Sequence, residues 1–345
     1  MNAMPAISVP DVSVVMPVWN AAATVADAIA SVRAQTTRSW ELIAVDDGST
    51  DDSAAVMTRA AGDDPRIRIV REPHRGIVAA LNSGLARVRA PLIARMDADD
   101  RMMPTRLEVQ RAFLDARPDV GVAGCLVDFG GDRKAARGYA IHVDWINTLR
   151  TSDEIARARF IESPLAHPSV MFRRELIVMH GGYTDSGEPE DYELWLRWMD
   201  AGVRFGKVTE TLLQWNDPPG RLSRAHPRYS AAAFYACKCR YLARFLHSGI
   251  VRDRALILWG AGRITRKRLA PLETAGVRFS AYVDIDPRKI GTRLREIPVL
   301  APQDIPPPAS CFVLGAVGAR GAREAQRAHL LGRGFREGED FVFAA

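Results

Sequence analysis

The sequence predicts an α/β protein in two parts, each built on a parallel sheet. Three observations carry that prediction. Short apolar, β-branched runs alternate with helix-length segments from residue 12 to residue 129. The alternation then lapses and restarts near residue 252 with ALILW (Ala255–Trp259). Polar clusters stand directly after several of the apolar runs, the place where open parallel sheets bind ligands. A chain of 345 residues carries a prior of roughly two domains. We place the first at 1–225, a helical linker at 226–251 and the second at 252–345.

In order, VSVVMPV (Val12–Val18) reads as a buried strand and Trp19-Asn20 as its turn. Residues 21–35 are Ala-rich with Val25, Ile29 and Val32 on one face, the pattern of a helix. A second strand, WELIAV (40–45), is cut off by Asp46-Asp47-Gly48-Ser49, and Ser49 or Thr50 suits the cap of a helix reaching to about residue 61. RIRIVR (66–71) alternates as a strand, residues 76–87 as a helix, and PLIARM (91–96) is a fourth strand. A helix over 104–116 and a strand over Val120–Phe129 follow. Residues 130–161 show no clear period. DYELWLRWMDA (191–201) is a strongly amphipathic helix stopped by Gly202, and residues 229–247 form another, rich in Arg and aromatics. In the second part we expect strands at Ala255–Trp259, 279–283 and 311–314, a basic helix after Gly262, and a helix over 324–331.

Composition narrows the classes of function. Hydrophobic residues at 47% and charged residues at 26% exclude a disordered chain, a collagen and a small disulfide scaffold. The net charge of +6 is carried mostly by Arg. It suits phosphate-bearing ligands, an anionic membrane face or nucleic acid without choosing among them, and codon usage explains it equally. Cys125, Cys237, Cys239 and Cys311 form no CxxC pair, which argues against a zinc site or a disulfide framework and for a reducing, cytoplasmic setting. Residues 1–11 do not read as a signal peptide, and no run of about 18 uncharged apolar residues reads as a transmembrane helix.

The sharpest chemical signal is Asp97-Ala98-Asp99-Asp100, directly after an apolar strand. In an extended segment Asp97 and Asp99 point the same way, and two adjacent carboxylates repel unless a cation sits with them. Hard divalent ions take a few carboxylates together with substrate phosphate oxygens. The alternative is a solvated acidic turn that caps the next helix. Asp47, ending the second strand, is placed to accept from a nucleobase N–H or a ribose hydroxyl, or else to close an Asx-turn. Trp19 offers a flat face for a base, or else a core side chain.

Five ordered segments together resemble the family 2 glycosyltransferases of the GT-A fold. They are VSVVMPVWNAAATV (12–25), WELIAVDDGSTDDS (40–53), HRGIVAALNSGL (74–85), PLIARMDADDRMMPTRL (91–107) and GEPEDYELWLRWMDAG (187–202). The resemblance covers residues 11–225. It implies an α/β GT-A nucleotide-diphospho-sugar transferase sheet, with a smaller Rossmann-like α/β domain behind it. It further implies a nucleotide-diphosphate sugar donor, Mg²⁺ or Mn²⁺, and inversion at the anomeric carbon. By position, Pro17 and Trp19 would line the base pocket, where the family more often has Tyr at the second position. Asp47 would accept from the base imide, Arg75 would lie in a phosphate- or base-proximal loop, and Asp97 would lie near the ribose. Asp99 would hold the metal, and Asp191 would be the catalytic base. The acceptor implied is a carbohydrate or a lipid-linked precursor, in cell-surface polysaccharide or glycolipid synthesis, and nucleic acid is not among the partners. The Arg-Trp box and membrane helices of processive members are absent, so we expect one sugar per encounter.

Other residues keep two readings. Glu190 shares the acceptor site or is a surface residue, and His167 reaches the ligand or is structural. Arg221 and Arg224 close over the diphosphate or belong to an exposed basic loop. The helix over 229–247, with Arg228, Lys238, Arg240 and Arg244, either lies on an anionic membrane as a peripheral contact at the inner face or joins the two domains. Gly260-Ala261-Gly262 and Asp284 resemble a Rossmann start, but Thr265 stands where a third glycine would be, which weakens a cofactor reading. The rivals are a nucleotidyltransferase, for which residues 19–21 lack the Gly-rich phosphate loop, a nucleotide-sugar sensor without turnover, and an NAD oxidoreductase.

Overall fold

Parallel strands covered on both faces are largely apolar, and the first, second and fourth strands here, buried almost along their whole length, follow that rule, while the third, IRIVRE, alternates. The computed structural model describes residues 9–218 and 221–345, so residues 1–8, where much of the signal-peptide reading falls, lie outside the described residues. The chain divides into two units. The first runs to Ile155 and adds Pro164–Ser186 and Ala201–Ala225; the second holds Ala156–Ser163, Gly187–Asp200 and His226–Ala345.

Among its described residues the first unit carries eight strands: β1 (Val12–Val18), β2 (Trp40–Asp47), β3 (Ile67–Glu72), β4 (Leu92–Arg95), β5 (Arg101–Met102), β6 (Val120–Phe129), β7 (Met171–Arg173) and β8 (Arg204–Trp215). Their order is β3-β2-β1-β4-β7-β6-β8-β5. β1 pairs in parallel with β2 and β4, and β2 with β3, while β7 runs antiparallel between β4 and β6. The chain therefore builds outward from β1 in one direction and returns to its other side at β4. That reversal is the switch point at which such sheets bind ligands. The core is the apolar face of β1, β2 and β4 against the helices Val25–Arg33 and Arg106–Asp115, with Met16, Trp40, Leu42 and Leu107 fully enclosed.

Three parts of this unit differ from the sequence reading. Asp46 and Asp47 lie inside β2 because the ladder to β3 continues through Asp47↔Glu72. Residues 130–161, which showed no period, contain the helices Arg137–Thr148 and Ser152–Ala158. The long strand β8 escaped the sequence reading altogether: its exposed mid-section, Thr209 to Thr211, interrupts the apolar pattern, and its ladder to β6 is broken by register shifts.

The second unit has its own sheet of β9 (Ala255–Trp259), β10 (Ala281–Val283), β11 (Arg293–Leu294), β12 (Ile297–Leu300), β13 (Cys311–Gly315) and β14 (Phe341–Phe343), in the order β11-β12-β10-β9-β13-β14. All its pairings are parallel except β11 with β12. The helices Glu190–Asp200 and Ala231–Phe245 belong to this unit and supply Tyr192, Leu196, Cys237, Tyr241 and Leu242 to its core. All four cysteines are buried and free.

Candidate active site

β4 ends in Arg95, and the alternation of an extended chain turns Arg95 and Asp97 to the same side. The Arg95 side chain is only 3% exposed and forms an ion pair with Asp97. One carboxylate oxygen from each of Asp97, Asp99 and Asp100 lies within 4.8 Å of the others. Burial, reinforced by Asp97, pushes the Asp99 carboxyl up to about 6. The same causes, with Asp99 added, hold buried Asp100 well above the usual carboxylate range. The Arg221 guanidinium acts on both in the opposite sense. This is not a solvated turn. It is a crowded set of hard oxygen donors whose repulsion a divalent cation would relieve, so these residues fit such an ion.

The turn is braced from two sides. The Asn216 backbone N–H donates to Asp100 at 2.8 Å, and its side-chain amide donates to the Asp99 carbonyl at 2.7 Å. Gly130 permits that approach, since a Cβ there would stand 2.1 Å from Asn216 Oδ1. Beneath, the buried Arg106 donates to the carbonyls of Arg95 and Val170 and to Gln110, which in turn donates to the carbonyls of Ala123 and Ser169. Arg95, Asp100 and Asn216 were not singled out as site residues from the sequence. The available signal, for Arg95, was its two-residue spacing from Asp97 at the end of a strand.

The ends of β1 and β2 form a second cluster on the same carboxyl edge. Pro17 is half-buried near the end of β1. Trp19 is 48% exposed and stacks on His74 with ring centroids 4.8 Å apart, so it is not a core side chain. Buried Asp47 accepts from the backbone N–H groups of Arg75 and Gly76, both at 2.9 Å, and lies 2.8 Å from His74 Nδ1. It therefore shapes the 74–76 loop directly. Gly48 has a positive φ of 66°, and a Cβ there would meet the His74 backbone nitrogen at 2.6 Å. The exposed Arg75 side chain pairs with Glu72 at 3.3 Å. Asn20 accepts from the Thr50 backbone and donates its own N–H to Ser49, tying the two turns together.

The structure thus brings Trp19, Asp47 and the 74–76 loop together, and likewise Asp97 with Asp99. Asp191 belongs to the second unit, half-buried in the first turn of the helix Glu190–Asp200. Its neighbour Glu190 is buried, not a surface residue, and accepts from Tyr229 Oη at 2.9 and 2.7 Å. His167 is buried with Nε2 2.7 Å from Tyr183 Oη, and burial holds its pKa well below the usual value, which matches the structural reading. Arg221 is not part of an exposed loop. Its side chain is 14% exposed and lies 4.3 Å from the Trp215 ring, while Arg224 pairs with Asp217.

Comparison with known proteins bears on this arrangement. The model of Glycosyl transferase family 2 matches residues 13–179, a span that includes every first-unit site residue except Asn216 and Arg221. EpsE of Bacillus subtilis (strain 168), which bears a glycosyltransferase name, is 31% identical over 227 residues, 64% of this chain and 78% of its own. The amylovoran biosynthesis glycosyltransferase AmsE of Erwinia amylovora is 30% identical, over 53% of this chain and 67% of its own. The O-antigen biosynthesis glycosyltransferase WbnJ of Escherichia coli is 28% identical, over 68% and 89%. Among solved structures, S. aureus TarS 1-349 in complex with UDP-GlcNAc superposes with a TM-score of 0.52 at 15% identity, covering 76% of this chain and 79% of that one. The mannosyltransferase PcManGT of Pyrobaculum calidifontis, in complex with GDP-Man and Mn²⁺, gives 0.50 at 22%, covering 77% and 70%. Sequence kinship, the GT-A sheet and the acidic turn after β4 agree: the chain is an enzyme of the family 2 glycosyltransferases.

Proposed function

We propose that this enzyme transfers one sugar from a nucleoside-diphosphate sugar to an acceptor hydroxyl, with inversion, in the synthesis of a cell-surface polysaccharide or glycolipid. The observation that carries the reading is the acid cluster Asp97-Asp99-Asp100 with Arg221 beside it. The names of AmsE and WbnJ support the polysaccharide setting. The ligands of TarS and PcManGT support a nucleotide-sugar donor. In this reading Asp99, with Asp100 and Asp97 at hand, would hold Mg²⁺ or Mn²⁺. The ion would supply Lewis-acid neutralisation of the departing diphosphate. Arg221 adds fixed positive charge for the same phosphates. Trp19, backed by His74, gives the base a stacking face, and Pro17 borders it. Asp47 holds the 74–76 loop and with it Arg75, and it retains acceptor capacity for the base imide.

Inversion requires the acceptor oxygen to attack the anomeric carbon as its proton leaves, and a carboxylate must take that proton. We assign this to Asp191, whose place in a helix first turn favours the ionised form. The nucleoside diphosphate departs with the bonding electrons. No helix among the described residues is long and apolar enough to cross a membrane. We place the enzyme in the cytoplasm, with peripheral contact at the inner membrane face.

A panel of labelled nucleotide sugars with Mn²⁺ and water as acceptor tests the proposal. Slow hydrolysis of one donor, stopped by a chelator, is expected. Binding of a donor with no turnover under any acceptor would overturn it in favour of a sensor. Asp191→Asn is expected to lower transfer at least ~100-fold while leaving donor affinity within about twofold, by calorimetry.

A further inference from the structure

The second unit carries a cationic face that the transfer reaction does not use. A groove of about 680 Å³ runs between the helices Ala231–Phe245 and Arg263–Thr274. Arg240, Arg244, His247 and Lys267 rim it, Ala270 and Pro271 form part of its wall, and no carboxylate lines it. The basic surface differs from the one the sequence suggested. Lys238 does not face solvent: it is buried and donates to the carbonyls of Ile161 and Ala344. Arg240 and Arg244 are partly neutralised by Glu188 and Asp200. The unneutralised charge lies instead on the helix Arg263–Thr274. Exposed Arg263 and Lys267 have no ion pair among the described residues, whereas Arg254 and Arg327 of the same unit are paired with Asp340 and Glu337. Arg268 extends over the Tyr235 ring at 5.3 Å.

One apolar side chain stands out among these cations. Ile264 is 68% exposed. Helical spacing sets it beside Lys267 and Arg268, at i+3 and i+4. Cations around a projecting aliphatic side chain complement a bilayer surface, where phosphates meet acyl chains. A single-stranded nucleic acid would call for exposed aromatic rings. Among the described residues of this face no Phe, Tyr or Trp ring is exposed: Phe234 and Tyr235 are half-buried and Tyr241 is buried.

We propose that this face, centred on Arg263, Ile264, Lys267 and Arg268, docks the second unit onto a bilayer containing anionic phospholipid. The test is co-sedimentation of the full chain with phosphatidylcholine vesicles with and without about 30 mol % phosphatidylglycerol, at about 0.1 M salt. No nucleotide sugar is present, so the result is independent of the proposed transfer reaction. Binding is expected only with the anionic lipid and is expected to weaken as salt rises. Arg263→Gln with Lys267→Gln is expected to weaken it about 30-fold, from a contribution of ~5-fold per basic side chain. Ile264→Ser is expected to weaken it several-fold with no change in charge. A charge-matched control, Arg38→Gln with Arg59→Gln on exposed positions of the first unit, is expected to stay within about twofold. The proposal fails if the anionic vesicles are not bound, if the control pair costs as much as the test pair, or if an oligodeoxythymidine is bound more tightly than the vesicles with the same loss in the test pair.

Discussion

The two units repeat one architectural idea with opposite chemical outcomes. Each has a sheet whose opening strands run parallel, grown outward from its first strand and completed on that strand's other side, although the first unit's sheet is mixed, with β7 and β5 antiparallel to their neighbours. At the carboxyl ends of β1, β2 and β4 stand Trp19, Asp47 and the Asp97-Asp99-Asp100 cluster, in which acids outnumber the cations Arg95 and Arg221. At the corresponding ends in the second unit, β9 leads into Gly260-Ala261-Gly262 and β13 ends in Gly315. Of the two acids after β10, Asp284 is already satisfied by Lys289 at 2.7 Å and by the Asp286 N–H, and Asp286 is paired with Arg288 at 3.0 Å. The sheet supplies a place for a ligand in both units. Acidic charge left unsatisfied and partly desolvated at the strand ends supplies a reason for one, and among the described residues only the first unit has it there.

The strongest way to break this contrast is to neutralise one acid from each sheet. Asp99→Asn is expected to lower sugar transfer at least ~100-fold, measured as nucleoside diphosphate released from the preferred donor. Asp284→Asn, which removes an acid that already has its counter-ion, is expected to leave transfer within about twofold. Equal losses from the two would show that strand-end position, not uncompensated charge, decides where the chemistry lies.

This contrast also shows what a sequence discloses. Strands buried on both faces are written as continuous apolar runs, so β1, β2, β4, β6 and β9 were legible, and the acids after β4 stood out against them. β8 was not legible, because a bulged strand at the sheet margin mixes exposed and buried positions. Trp19, Asp47 and Asp99 could be named from residue type and place alone. Asn216 could not: its contact with Asp100 joins positions 116 apart, and nothing local in either segment announces it. Nor could the fate of Lys238, since its two carbonyl partners lie 77 and 106 residues away.

A second test separates the two ways this chain buries a cation. Arg95 is enclosed against a carboxylate, whereas Lys238 is enclosed against two carbonyls and the Tyr235 ring, with no ion pair among the described residues. Arg95→Met removes the counter-charge of Asp97 in a cluster that already contains two further acids. The loss is expected to be about 2–3 kcal/mol by urea unfolding at neutral pH, below the value for a fully buried pair because the Asp97 side chain is 25% exposed. A loss under about 0.5 kcal/mol would mean that the acids do not depend on Arg95 for their charge balance.

The smallest effect probes a feature the two units share. Burial pushes Lys238 in the second unit and Lys207 in the first down to about 8 from 10.5. Lys207 is held as Lys238 is, by the backbone carbonyls of Ile146 and Pro164. A cation whose folded pKa is depressed leaves the unfolded chain holding more protons between pH 8 and 10.5. Stability attributable to each lysine therefore rises through that window, by at most ~1.4 kcal/mol per pH unit, and is flat below it, where both states are charged. Lys238→Met and Lys207→Met are expected to lower the slope of unfolding free energy against pH across the window, each relative to the unaltered chain, so that the other titrating groups cancel. The same flattening from both variants would show that desolvation alone sets these lysines, whatever chemistry the surrounding sheet carries. A flattening from one and not the other would show that the surviving lysine keeps its proton through water or a partner, and that its unit opens more readily at that point.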